Sequence, residues 1–542
     1  MSQVTKRHSI WITIILVVVL AGCSPGLQRR GKGLQAAVET ANPTDQRTLE
    51  AAGTISPADR KRDTECLRDQ GQALQGRFQD ELGSLGELPC YHLAAELDLD
   101  ASTYQGRLTL DFQNREGTPL DVVYFRLFPN GGKSYGAGSL RVTEVVSEGQ
   151  PLETELLLED SVLKVHLQGS LEPGARTVLE LGFKGKVPQD FRGGGYGIFN
   201  NSTEPELMVL SGWYPLLAVY DDEGWNLDPV SGIGDSVYSD AGFVRADLTV
   251  SGETLSDDST SGAVGIAATG EQIFPDDRGG DSNTRTFVSG PVREFVVVVG
   301  QELGRISGRK DGIRVHSYYL PGDQAGAQMA LSTALESLQV YNRRFGPYPY
   351  RELDLVDVPM RYAAGVEFPG ILLLGRSAYS EPGQTWFKIV VAHEVAHQWW
   401  YNLVGSDVID EPWLDEALTT YSSLLYFQEI QGESTFQGVL NYYRDVYQRA
   451  AAEGNDHPVT ESLAYFEADQ QRRAAYSPVV YAKGALFFHQ VRQTMGDEAF
   501  FEALRGYFQA NRYQIGTPEE LLEQLQERSP VDLGGIRKEW LE

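Results

Sequence analysis

Positive charge is scarce in this 542-residue chain: 46 Lys and Arg stand against 75 Asp and Glu, a formal net charge of −29. Such a surface repels phosphate backbones, and no basic patch with interleaved aromatics interrupts it, so nucleic acid is excluded as a partner. Cysteine is scarcer still, with 3 in the chain, so one intramolecular pair is the most it can form. Long apolar runs are missing as well. The one strongly apolar stretch, Ile10 to Leu20, is too short for an ordinary membrane-spanning helix. No internal repeat or long low-complexity tract is present. The length allows two or more domains with ample cores.

That short apolar stretch reads as an address. Lys6, Arg7 and His8 form a basic lead-in, and the run ends in Leu20-Ala21-Gly22-Cys23, which resembles the lipobox of bacterial lipoproteins. The resemblance implies a signal peptide over residues 1–22, lipidation of the Cys23 thiol, and an exported protein. It would be anchored to a membrane in the bacterial cell envelope, facing out of the cytoplasm. Cys66 and Cys90 then remain, and in an oxidising compartment such a pair is expected to form a disulfide, worth about 3 kcal/mol by loop closure.

Residues 23–88 are rich in Gln, Arg, Glu, Gly and Ala and read as a polar stalk with one short helix around Leu67 to Leu85. From Tyr91 the pattern changes to the period-2 alternation of half-buried strands, as in His92 to Leu99 and Gly106 to Phe112. Similar runs recur to Val299, predicting an all-β sandwich over 89–304. Beyond it the rhythm is mostly helical, with helices expected near Gln324–Phe345, Thr385–Leu403, Pro412–Ile430, Val480–Thr494, Asp497–Tyr507 and Pro518–Arg528. Strands are expected at Ile313–Leu320 and Leu353–Val358.

The chemistry concentrates in His393-Glu394-Val395-Ala396-His397, followed after 18 residues by Glu416. Two histidines four apart on a helix share a face, roughly 6 Å apart, and can grip one cation. Zinc accepts imidazole nitrogen and carboxylate oxygen, and a catalytic zinc takes three protein ligands and leaves a position for water. His393, His397 and Glu416 supply that set, with Glu394 free to act on the water as a base. With 8 histidines in the chain, chance would produce the five-residue pattern only about once in a hundred such sequences. Val390, Val391, Ala392, Val395 and Ala396 make its helix apolar and buried. Pro412 and the preceding acids mark the start of a second helix, which places Glu416 near its beginning.

Together these segments resemble the aminopeptidase N and leukotriene-hydrolase family of gluzincin zinc metallopeptidases. The resemblance runs from about Tyr91 to the end of the sequence, without the family's large C-terminal helical domain. His393 to Val404 and Trp413-Leu414-Asp415-Glu416 fit the zinc segment, and Phe345 to Tyr350 fit the segment upstream. Ala364-Gly365-Val366-Glu367-Phe368 stands where the exopeptidase motif belongs, with Val366 and Phe368 departing from the usual Met and Asn. Tyr476 and Tyr481-Ala482-Lys483-Gly484 resemble the segment of the catalytic tyrosine.

The resemblance implies an N-terminal β-saddle followed by a thermolysin-like α+β, mostly helical catalytic domain over 305–542, with one Zn2+ per chain. Glu394 would be base and then acid, Tyr481 would stabilise the oxyanion, and Gly365, Glu367 and Tyr476 would line the substrate site, with Glu367 on the α-amine. No second amine-binding acid is evident in the β-rich half, where Gly212-Trp213-Tyr214-Pro215-Leu216 has a different character. Trp399 and Trp400 read as packing residues, and His92, His166, His316, His457 and His489 as structural or surface histidines. The expected activity is removal of N-terminal residues from peptides. A zinc endopeptidase or oligopeptidase is the alternative, and a catalytically silent binding lipoprotein of the same fold comes after it.

Overall fold

The computed structural model describes residues 66–235, 237–256, 264–274, 283–381 and 383–542. Cys23 and the signal segment lie outside the described residues. Among the described residues, no helix is long and apolar enough to cross a membrane.

The β-rich half is built on an eight-stranded sheet. Its order is Glu271–Ile273, Thr284–Val292, Gly242–Val250, Cys90–Asp98, Thr103–Gln113, Arg176–Lys186, Ser139–Ser147 and Gln150–Pro151. Pairing is antiparallel except where Cys90–Asp98 runs parallel to Gly242–Val250. Along Cys90–Asp98 buried and exposed positions alternate, so Tyr91, Leu93, Ala95 and Leu97 face inward. This is the pleat expressed directly in sequence. Two four-stranded sheets and the two-stranded pair Tyr220–Asp221 and Gly224–Trp225 complete this half among the described residues. Val297–Gln301 lies inside one of them, and its continuous apolar run is almost wholly buried.

At Gly304 a five-stranded sheet begins, in the order Gly304–Lys310, Ile313–Tyr319, Glu352–Val358, Ile371–Gly375, Gly365–Phe368. The strands at 313–319, 352–358 and 371–375 run parallel. Helix Gln324–Arg344 makes the crossover between the first two, as a parallel pair requires. Strand Gly365–Phe368 closes the edge antiparallel to Ile371–Gly375, with Glu367 opposite Leu372. The remainder is helical, including the motif helix Thr385–Ala396 and the helix Trp413–Tyr426, every residue of which is buried. The overall fold expected from the sequence, a β-rich domain followed by a mostly helical one, is the fold observed.

Several elements differ from expectation. The segment 67–85 is not one helix on a stalk. Three short turns, Gln70–Gln72, Gly76–Gln79 and Leu82–Ser84, follow the body and bury Leu74, Phe78 and Leu82. Their backbone is spent on tertiary partners: Gln75 N–H donates to Pro349 O at 2.8 Å and Arg351 N–H to Ala73 O at 2.8 Å. Cys66 is disulfide-bonded to Cys90, with Cα atoms 6.2 Å apart.

The motif helix stops at Ala396 rather than Leu403. Beyond it the chain turns at Tyr401, with φ at 135°, and Arg293 holds the Tyr401 carbonyl while Glu294 takes its hydroxyl. The expected helix Val480–Thr494 divides into a wider π turn, Ser477–Lys483, and an α-helix, Gly484–Met495. Helix Glu433–Ala452, which the sequence reading missed, buries Phe436, Val439, Leu440 and Tyr443 along one stripe.

Candidate metal and substrate site

The motif helix packs between Gln324–Arg344 and Trp413–Tyr426. Tyr341 fixes it by donating from its hydroxyl to Ala392 O at 2.8 Å. Pro412 opens the second helix as the sequence suggests, the acids of its first turn being Asp415 and Glu416, and Glu416 faces the two histidines.

The three candidate ligands converge. His393 Nε2 lies 3.1 Å from Glu416 Oε2 and 3.1 Å from His397 Nε2, and His397 Nε2 lies 3.5 Å from Glu416 Oε2. Ligand atoms about 2.0–2.1 Å from a tetrahedral centre stand roughly 3.3 Å apart, so these three donors fit zinc. His397 Nδ1 lies 3.0 Å from Trp400 O. Donating its proton there leaves the Nε2 lone pair for a metal. Burial raises the Glu416 pKa, but the bonds from His393 and His397 outweigh it and hold the carboxylate down at about 2.

Glu394 is buried beside them, and burial pushes its pKa up to about 8, with the carboxylates Glu416 and Asp235 adding to the rise and His397 opposing it. Its carboxyl rests against strand Gly365–Phe368. A Cβ at Gly365 would stand 2.4 Å from Glu394 Oε1, which explains the glycine. Gln398 ties this edge strand's turn to the motif helix, accepting from Gly370 N–H at 2.9 Å and donating to Phe368 O at 3.1 Å.

Glu367, on that strand, is 5% exposed, and burial raises its pKa well above the carboxylate range, with Asp235 beside it as the next cause. The two carboxyls share a hydrogen bond. Asp235 is the residue the sequence reading missed: the β-rich half does bring a second acid to Glu367. It sits in an irregular Gly- and Ser-rich loop, Ser231-Gly232-Ile233-Gly234-Asp235, where no periodicity marks a site. The helical half clamps this loop, because Glu467 Oε1 accepts from Gly232 N–H at 2.8 Å and Arg473 Nη2 donates to Gly232 O at 2.5 Å. One ligand oxygen each of Glu367 and Glu394 and a nitrogen of His397 lie within 4.8 Å of one another.

Tyr481 donates its hydroxyl to Glu416 Oε1 and stacks on His393, ring centroids 5.8 Å apart. Tyr476 packs edge-on against Tyr481 at 5.7 Å, and its hydroxyl lies toward Gly234. Trp399 and Trp400 are buried and donate to Gly346 O and Ser422 Oγ. The remaining histidines with described partners stand apart from this site: His92 pairs with Asp247, His316 with Ser307 and Glu352, His457 with Tyr465, and His489 with Tyr421.

A β-rich half joined to a helical half, with two helix-borne histidines and a glutamate from the next helix as candidate ligands, is the arrangement that the resemblance to the gluzincin metallopeptidases implies. Residues 329–540 match the Peptidase family M1 domain. That segment, which carries the whole candidate ligand set, is thus an M1 peptidase domain, the domain of the aminopeptidase N family.

Aminopeptidase M1-A of Oryza sativa subsp. japonica is 22% identical over 485 residues, covering 86% of this chain and 51% of its own length. Aminopeptidase N of Lactococcus lactis subsp. lactis is 30% identical over 180 residues, 33% of this chain and 21% of its own. The chain thus spans about half the length, or less, of these curated relatives. Among solved structures, a mutant M1 zinc metallopeptidase of Deinococcus radiodurans matches with TM-score 0.62 and 21% identity, over 83% of this chain and 93% of its own. A form bound to a Tyr-Ser-Ala substrate matches with TM-score 0.58 over the same shares. At this identity the likeness is one of fold.

Proposed function

We propose that the chain is a zinc aminopeptidase that hydrolyses N-terminal residues from peptides. The observation that carries this reading is the position of the Asp235–Glu367 pair. In a peptide, the α-nitrogen and the carbonyl carbon of the first residue are about 2.5 Å apart. An amine anchor for the first residue must therefore adjoin the ligand set, as Glu367 does through Glu394 and His397. A residue preceding the scissile one would run into this pair, which disfavours an endopeptidase.

His393, His397 and Glu416 would hold the ion. When bound, zinc supplies Lewis acidity and lowers the pKa of water from 15.7 to about 7. Glu394 takes the proton of the attacking water and returns it to the leaving amine. The Tyr481 phenol, turned from Glu416 toward substrate, donates to the oxyanion. Glu367 and Asp235 hold the α-ammonium, and Gly365 leaves room for the Glu394 carboxyl.

Peptides are the substrate class in this reading, which agrees with the Tyr-Ser-Ala complex of the Deinococcus protein. Export and anchoring through Cys23 remain part of the proposal on sequence grounds, and lipid labelling lost in Cys23→Ser would support them.

The test is one peptide library in two versions, free and N-acetylated, given to the zinc-loaded chain and read by mass spectrometry. Stepwise loss of N-terminal residues from the free version alone is expected. Internal cuts in both versions would make the protein an endopeptidase, and no cuts in either would make it a silent scaffold.

A further inference from the structure

Asp415 immediately precedes the ligand Glu416 on the helix Trp413–Tyr426 and is 2% exposed. Neither of its carboxylate oxygens has a hydrogen-bond partner among the described residues. The Glu416 peptide N–H donates to Pro412 O at 3.3 Å and offsets the burial of the Asp415 carboxyl only in small part. A buried acceptor without a donor is costly, and a site that keeps one is arranged for a donor that arrives from outside. The roles assigned above to base, metal ligands and oxyanion donor leave Asp415 without one.

One carboxylate oxygen each of Asp235, Glu367 and Asp415 lie within 4.8 Å of one another. Three points no farther apart than that all lie within about 2.8 Å of a common centre, the length of a charge-assisted N–H···O bond. A primary ammonium has three N–H donors, and the cluster presents three acceptors, one each from a β-domain loop, an edge strand and a helix. Each carboxyl offers an acceptor oxygen whatever its proton content.

We propose that Asp415 is the third acceptor of the substrate's α-ammonium, completing with Asp235 and Glu367 a seat for one primary amine. The proposal rests on the aminopeptidase reading and deepens it in one respect: the seat selects primary over secondary amines. A peptide beginning with proline or an N-methyl residue has two N–H donors and leaves one buried acceptor unpaired. Rejection of analogues that leave a buried polar group unpaired is the stronger form of discrimination.

The experiment uses the full chain loaded with zinc and pairs of hydroxamate inhibitors. Leucine hydroxamate, its N-methyl form and its des-amino form share the same metal-binding group, so ratios of their inhibition constants isolate the amine. In the unaltered protein the primary amine should bind at least 100-fold more tightly than the des-amino compound and about tenfold more tightly than the N-methyl one. D415L, which nearly keeps the side-chain shape and has no acceptor, should cut the first ratio about tenfold and bring the second near one. Its affinity for the des-amino compound and its zinc content should not change. E367L provides the benchmark for loss of an anchor.

Equal weakening of all three inhibitors in D415L would show that Asp415 only supports the metal helices, and unchanged ratios would also overturn the proposal. Loss of a second bound Zn2+ equivalent in D415L, at unchanged ratios, would make the cluster a metal site instead. If the unaltered protein shows no preference for the amine at all, the aminopeptidase reading itself falls. A preference that survives D415L but not E367L would leave that reading standing and remove Asp415 from it.

Discussion

Replacing Arg293 with methionine should cost about 3–5 kcal/mol of stability, the range for removing one member of a buried charged hydrogen-bond set. The residue follows strand Thr284–Val292 of the β-rich half and is 3% exposed. Its Nε donates to Tyr401 O at 2.5 Å, Nη1 to Ser239 O at 2.8 Å and Nη2 to Gln514 O at 2.6 Å. Two of those carbonyls belong to the helical half, so one planar fork joins the halves at the turn of Tyr401. The fit is close: a Cβ at Gly405 would stand 2.1 Å from Arg293 Cζ.

Charge-assisted bonds contribute about 1.5–3 kcal/mol each, and three would give roughly 4.5–9 kcal/mol. Methionine avoids the desolvation that burial imposes on the guanidinium, which brings the expected loss back to the lower range. Lysine keeps the charge but has no fork, reaches at most two carbonyls, and should cost about 1–3 kcal/mol. Denaturant titration followed by tryptophan fluorescence measures both, because Trp399 and Trp400 sit in the chain just before Tyr401. A methionine variant within 1 kcal/mol of the parent, or no less stable than the lysine variant, would refute the assignment of Arg293 as a buried tie.

Two further predictions concern protons. Glu394→Gln should keep the parent's zinc content and lose kcat by roughly 10²–10⁴-fold, the usual share of a positioned base; metal analysis beside steady-state kinetics checks both, and substantial residual turnover would remove Glu394 from that role. Burial pushes the Glu294 pKa from 4.5 up to about 8, partly opposed by the Tyr401 hydroxyl that donates to it at 2.6 Å. The folded chain therefore keeps a proton that the unfolded chain releases, and this contribution to stability is whole below pH 4.5 and lost as pH rises to about 8. The total is at most about 5 kcal/mol at 1.36 kcal/mol per pKa unit. Glu294→Gln should flatten the fall in denaturation midpoint between pH 5 and 8, and an unchanged slope would count against a buried neutral Glu294.

The parts of the site that could be read in advance are those fixed by local geometry. The four-residue spacing of His393 and His397 becomes a shared face wherever the segment is helical, and the apolar run around it makes the helix. Pro412 and its acids open the next helix whatever else the chain does. Strand alternation from Tyr91 onward is legible for the same reason, since the pleat has a period of two. Leu74, Phe78 and Leu82 also repeat at a helical interval, yet Gly71, Gly76 and Gly83 weaken a helix there, and contacts with Pro349 and Arg351 give the backbone other partners. The interval correctly marks a buried face and misstates the element.

Sequence by itself thus determined which atoms could hold a metal and on which helices they ride, because neighbours three or four apart need no distant partner. Only the tertiary structure decided where the motif helix stops, where the helix bearing Tyr481 widens into a π turn, and which acid of the β-rich half meets Glu367. Arg293 and Glu294 come from another domain to capture Tyr401, and Glu467 and Arg473 do the same for the loop of Asp235. Such contacts span more than a hundred residues of chain, and a loop of Gly and Ser carries no period from which they could be read. Asp415 differs in kind: its place beside Glu416 was plain from the start, but that it points at Asp235 and Glu367 depends on three elements meeting.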